Sequence, residues 1–238
     1  MYLSRVQLQL NNLSPQMLHK WNEVETYASH QWLWQLFPEQ GSRHFLFRQE
    51  PQGRFFLLSA TPPLVEHPLF MVETRAFKPQ LEKGALLDFQ LRANPVVTRN
   101  KKRSDVMMDA KYQAKERGEN PESWRPLQRK AAQSWLEKQG DLHGFSIQTP
   151  EPDDFSQWAG VEYANNRGEE VTDSYCVKAW QQHRFARKSE ENPVIFSSVD
   201  YAGTLRITDV SSFEHVLFNG LGKSKALGCG MLMVKRRR

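Results

Sequence analysis

The sequence predicts an α+β protein built from two similar halves. Three observations carry that expectation: short β-prone runs, helix-period segments between them, and an element order that recurs along the 238 residues. An apolar share of 39%, with 11% aromatic residues, is enough to build such cores. At ~100–200 residues per domain, the length suits two small domains or one large one.

The elements follow in order. Residues 2–10 set Leu3, Val6, Leu8 and Leu10 among polar neighbours and read as a first strand. Helix runs from there to about Phe37, with Pro38 as its stop. "RHFLFRQE" and "RFFLLSA", separated by "PQG", read as a hairpin, and the proline-rich "TPPLVEHPLF" as a connection. "ALLDFQLRANPVV" then reads as a further strand of the first half, ended at Asn94–Pro95. Strand, helix, two strands and a further strand make most of a ferredoxin-like unit. Residues 99–125 are polar and basic and read as a connection, followed by a helix over 127–139 with Ala131, Trp135 and Leu136 inward. The second half offers "FSIQT", an acidic passage over 150–173, the β-prone "SYCVKAW" and "VIFSSVDYAGTLRIT", a helix capped by Asp209 and closed by Gly220, and a final edge strand "GCGMLMV". The division expected is an N-terminal unit over 1–98, a basic connection with helix over 99–140, and a C-terminal unit over 141–238.

Charge is unevenly spread. The net +5 divides into +1 over 1–98, +5 over 99–130, −7 over 131–218 and +6 over 219–238. Two basic blocks around an acidic one favour a polyanion, nucleic acid first. No run approaches the 18 apolar residues of a membrane span, and Arg5 within an alternating opening argues against a signal peptide. Cys176 and Cys229 form no CxxC and point to neither a disulfide framework nor a zinc site. A cytoplasmic protein without membrane contact, metal or cofactor is the simplest expectation.

Two stretches carry chemistry. In "TYASHQWLWQLFP", Thr26–Pro38, a period of ~100° per residue gathers Leu33, Phe37, His30, Trp34 and Tyr27 within a third of the helix. His30 therefore sits inside the apolar stripe, where it serves either as a satisfied core histidine or as a proton carrier at neutral pH. The second stretch, Gly220 to Gly230, resembles a nucleotide loop but is not one. Leu217 stands where a P-loop needs glycine, and Lys225 where GxGxxG needs its third. Its glycines and lysines would still suit a phosphate. His44, His67, His143, His183 and His215 read as surface residues.

Four blocks spread over the chain resemble the CRISPR-associated repeat-processing endoribonucleases of the CasE type: "MYLSRV"; Tyr27–Pro38 with "FLFRQE"; "LRANP"; and "GLGKSKALGCGML". The likeness is poor over 96–126 and 150–192, and Lys235–Arg238 lies outside it. The resemblance implies two tandem ferredoxin-like (RNA-recognition-motif-like) domains in a subunit of the Cascade complex. It also implies metal-independent cleavage of precursor CRISPR RNA at the base of the repeat stem-loop, by the RNA's own 2′-OH. His30 is then the acid–base group and Tyr27 orients the hydroxyl. The RNA contacts expected are Arg92; Lys101, Lys102, Arg103, Arg129 and Lys130 in the central basic segment; and Gly220, Gly222, Lys223, Lys225, Gly228 and Gly230 in the loop. The alternative is a stem-loop-binding subunit that does not cut. A generic RNA-recognition motif would show an aromatic stacking run, which is absent from the sequence.

Overall fold

Strand β1 (Tyr2–Leu8) buries Val6 and Leu8 and lies at the centre of the first sheet. The computed structural model describes residues 1–23, 25–38, 41, 44–99, 101–149, 175–185 and 193–237. Helices α1 (Pro15–Glu23) and α2 (Glu25–Leu33) follow, then the hairpin β2 (Phe45–Glu50) and β3 (Arg54–Ser59), β4 (Glu66–His67) and β5 (Phe70–Ala76). The hairpin turn holds Gln52 and Gly53 at positive φ, which suits the twist of paired strands. The sheet order is β2-β3-β1-β5-β4, antiparallel throughout.

With β5 as fourth strand, this is the ferredoxin-like order. The helix that usually precedes the fourth strand is missing because Pro62, Pro63 and Pro68 interrupt the segment before β5. The sequence reading missed β5 and put 85–97 in its place. Strand β6 (Leu86–Ala93) pairs with β11 (Val194–Ile207) and β12 (Leu232–Arg236), so it opens the second unit rather than closing the first. Its alternation, with Leu87, Phe89, Leu91 and Ala93 inward, says that it is a strand but not which sheet receives it.

Residues 99–125 are not a connection either. Strands β7 (Val96–Arg99) and β8 (Lys102–Asp105) form a hairpin, and helices α3 (Val106–Glu116) and α4 (Pro121–His143) follow. Asp105 caps α3 by accepting from the Met108 N–H at 2.8 Å, and Asn120 caps α4 by accepting from the Glu122 N–H at 3.1 Å. α4 starts at Pro121 and runs through Pro126, forgoing one backbone bond, whereas the expected helix began after that proline. Strands β9 (Phe145–Gln148) and β10 (Val177–Phe185) pair with different stretches of β11, and α5 (Val210–Asn219) precedes β12. The order β10-β11-β6-β12, with β9 beside β11, repeats that of the first sheet. The protein is thus two tandem ferredoxin-like units. The acidic passage expected over 150–173 lies outside the described residues.

Each sheet buries one face against its own helices. Trp21 and Trp32, stacked at 5.6 Å, close the first core over Phe55 and Leu57. Leu136, Phe213 and Val216 close the second over Leu91, Val199 and Tyr201. A third cluster, Leu46, Leu58 and Met231 with Phe77 and Phe218, joins the units. Among the described residues, no helix is long and apolar enough to cross a membrane.

Candidate functional site

His30 is half-buried on α2. The Trp34 indole N–H, one turn on, donates to its Nε2 at 3.0 Å. With Nε2 as acceptor, the neutral ring carries its proton on Nδ1, so Trp34 selects the tautomer. The Phe47 ring of β2 stacks beneath the imidazole, centroids 6.3 Å apart and planes at 21°. The apolar stripe is real, but His30 stands at its edge. It lines a cleft of about 750 Å³ with Gln31, Trp34, Val194, Ser224 and Leu227. The helix of the first unit and the glycine-rich loop of the second, some 190 positions apart, meet there. Tyr27 precedes His30 by one turn of α2; its side chain lies outside the described part.

The loop is held by internal bonds. The N–H groups of Leu221, Leu227, Cys229 and Gly230 donate to the carbonyls of Gly230, Ser224, Ser224 and Arg92. Asn94 Nδ2 donates to Ser224 Oγ at 2.7 Å. Those four amides are therefore unavailable to an anion. The glycines also differ from the expectation that they let RNA approach. A Cβ at Gly228 would lie 3.1 Å from Phe47, at Gly222 3.3 Å from Trp135, and at Gly230 2.6 Å from the Leu221 carbonyl. The space they leave is filled by protein, and Gly228 in particular makes room for the ring on which His30 rests.

The cationic candidates separate by position. Lys223 is exposed, and Lys225 donates to the Asn219 carbonyl at 2.7 Å. Both line a second cleft, on another side of the loop, with His143 of α4 and His215 of α5. Burial, then His215 and Lys225, push the His143 pKa below its ordinary value. These two histidines, read from sequence as ordinary surface, come together only through packing of α4 on α5. Through Val96, Trp135 and Gln139 this cleft continues into a groove holding Lys130, Lys138, Arg117 and the ion pair of Arg99 with Asp109 at 2.8 Å. Lys101, Lys102 and Arg103 stand exposed on the β7–β8 hairpin.

Arg92 and Arg129 are engaged within the protein. Arg92 donates twice to Asp200, at 2.8 and 2.9 Å, and that bond raises its pKa. Arg129 donates to the Val177 carbonyl at 2.9 Å, away from its neighbour Lys130. Cys229 is no nucleophile: burial pushes its thiol up to about 12.

Known proteins share this arrangement of chain. CRISPR system Cascade subunit CasE of Escherichia coli K12 is 27% identical over 216 residues, 87% of this chain and 90% of that protein. The structure of Thermus thermophilus Cse3 bound to an RNA representing a pre-cleavage complex matches with a TM-score of 0.64 and 21% identity, over 98% of each chain. The crystal structure of Cas6e from E. coli K-12 matches with a TM-score of 0.60 and 21% identity over the whole of both chains. The sequence profile of the family described as CRISPR associated protein matches residues 1–236. The chain belongs to that CRISPR-associated protein family, with a CasE protein as a relative over 87% of its length.

Proposed function

We propose that this protein is an endoribonuclease that cuts precursor CRISPR RNA at the base of the repeat stem-loop and stays with the product as a Cascade subunit. The observation that carries the reading is the convergence of His30 and the glycine-rich loop on one cleft. Relatives named as a Cascade subunit, and as Cse3 in complex with RNA, support the partners.

The reaction is an internal transesterification. The 2′-OH gives up its proton, O2′ bonds to the adjacent phosphorus, and the P–O5′ bond breaks. The leaving oxygen takes a proton, so the products are a 2′,3′-cyclic phosphate and a 5′-OH. No water or metal enters the balance. His30 transfers a proton in the cleft and Tyr27 orients the 2′-OH. Lys223 and Lys225 neutralise neighbouring phosphates, and the basic groove along α4 receives the rest of the stem-loop.

The test uses repeat RNA in EDTA. His30→Ala should slow cleavage by about 10²–10⁴ with little change in affinity. RNA with a 2′-deoxy sugar before the cut should bind and remain whole. A folded His30→Gln protein that cuts at the parental rate would return His30 to a core role. A parent that binds but never cuts would leave a stem-loop-binding subunit.

A further inference from the structure

A third cleft lies on the opposite flank of α4, apart from His30 and the glycine-rich loop. It has a volume of about 460 Å³, within the ~300–1,000 Å³ usual for small-molecule sites. Trp124 of α4 and Trp180 of β10 line it, with the cations Lys111, Arg125, Arg129 and Lys178, and no described carboxylate does. Trp180 is 40% exposed although it is a large indole on an edge strand. Trp124 is held in place: its N–H donates to the Glu119 carbonyl at 3.2 Å, and the Lys111 and Lys115 ammonium groups stand 5.2 and 5.3 Å from its ring centre. Arg129, bonded to the Val177 carbonyl, bridges α4 to β10 across the cleft.

We infer that this cleft takes an unpaired nucleotide of the RNA outside the stem-loop. An indole left accessible beside cations fits that chemistry, a base stacking on the ring while Lys111 and Arg125 hold its phosphates and Arg129 and Lys178, engaged with the carbonyls of Val177 and Tyr175, add positive potential. A folded aliphatic peptide would leave the cations unmatched, and a bare anion would leave the indole uncovered. Position defines which nucleotides reach it. The cleft adjoins the Val177 end of β10, whereas Phe185 at the other end pairs with Val194, which lines the His30 cleft. Five steps of strand separate Trp180 from Phe185, ~17 Å at ~3.3 Å per residue. At ~3.4 Å per stacked nucleotide, that is about five nucleotides from the cut.

The inference rests on the RNA-processing reading, so its test keeps the two apart. Three RNAs blocked by a 2′-deoxy sugar before the cut are titrated: the bare stem-loop, and the stem-loop with a ten-nucleotide single strand on either side. The parent should bind one flanked RNA more tightly than the bare stem-loop. Trp180→Ala should weaken that RNA about tenfold and the bare stem-loop less than twofold, and Trp180→Phe should restore most of the loss. Arg125→Ala should flatten the salt dependence of the flanked RNA alone, by a little under one log unit per log unit of salt. A flank that adds no affinity, or a folded Trp180→Ala protein that binds all three RNAs as the parent does, overturns the inference while leaving the cleavage reading intact. Failure of the bare stem-loop to bind the parent strikes the cleavage reading itself, and this one with it.

Discussion

Replacing Gly228 by alanine asks whether the glycine-rich loop positions His30 or only borders it. Gly228 has φ +76°, and a new Cβ would lie 3.1 Å from Phe47 Cε2, so the ring must give by a few tenths of an ångström. The left-handed conformation alone costs an alanine about 1–2 kcal/mol. Phe47 is fully buried and stacks on the imidazole, so a displaced ring disturbs the seat of His30. Misplacement by ~1 Å can cost ~10²-fold in rate, and a shift of a few tenths scales to about three- to tenfold. Gly84 supplies the control, with φ +87° and nothing within 4 Å of its Cβ. Gly84→Ala should show the backbone strain without the contact. Single-turnover cleavage at saturating protein and urea unfolding are then measured for both variants. The expected result is reduced stability in both and a slower cut only in Gly228→Ala. A Gly228→Ala protein cutting at the parental rate, or one whose whole defect is in affinity, refutes the positioning role.

Lys223→Ala with Lys225→Ala should weaken stem-loop binding and flatten its log–log salt slope by a little under two units, with cleavage at saturation within about tenfold of the parent; an unchanged slope places the RNA elsewhere. A phosphate seated near Lys225 and His215 raises the depressed His143 pKa, so binding takes up protons and tightens as pH falls through the raised value, by at most about tenfold per pH unit per proton. The free protein does the opposite. With its folded pKa below the unfolded 6.5, His143 contributes stability that is present above that pH and lost as pH falls through the folded value. His143→Gln should flatten both trends, which fluorescence titration and pH-dependent unfolding read directly. Asp200→Ala leaves the part-buried Arg92 guanidinium without its two acceptors and should cost about 1–3 kcal/mol in urea unfolding. Arg92→Ala should likewise lower stability more than RNA affinity; a selective loss of binding would make Arg92 an RNA ligand after all.

The strands β1, β2, β3 and β11, the helix over Val210–Asn219 with its Asp209 cap, and the ferredoxin-like element order were legible because periodicity and turn chemistry are local. The two stretches bearing chemistry were also legible, His30 by its place in an apolar stripe and the loop by its glycines. Neither stretch reveals that it meets the other. That junction is tertiary, since packing of Leu46 and Phe47 of the first unit against the loop's glycines and Met231 of the second, some 190 positions on, sets Ser224 and Leu227 beside His30. The same limit explains the errors. β6 has the alternation of any strand with one buried face, and only its pairing with β11 and β12 shows that it opens the second unit. Polar, basic 99–125 carried few apolar residues to read, yet Val106, Met107 and Ala114 suffice to bury one side of α3 against α4. Counting charges likewise ranked Arg92 and Arg129 with the lysines, but one faces a carboxylate and the other a carbonyl. His143, His215, Trp124 and Trp180 were invisible as sites for the same reason. A side chain's chemistry is written in the sequence, whereas its neighbours are decided by packing.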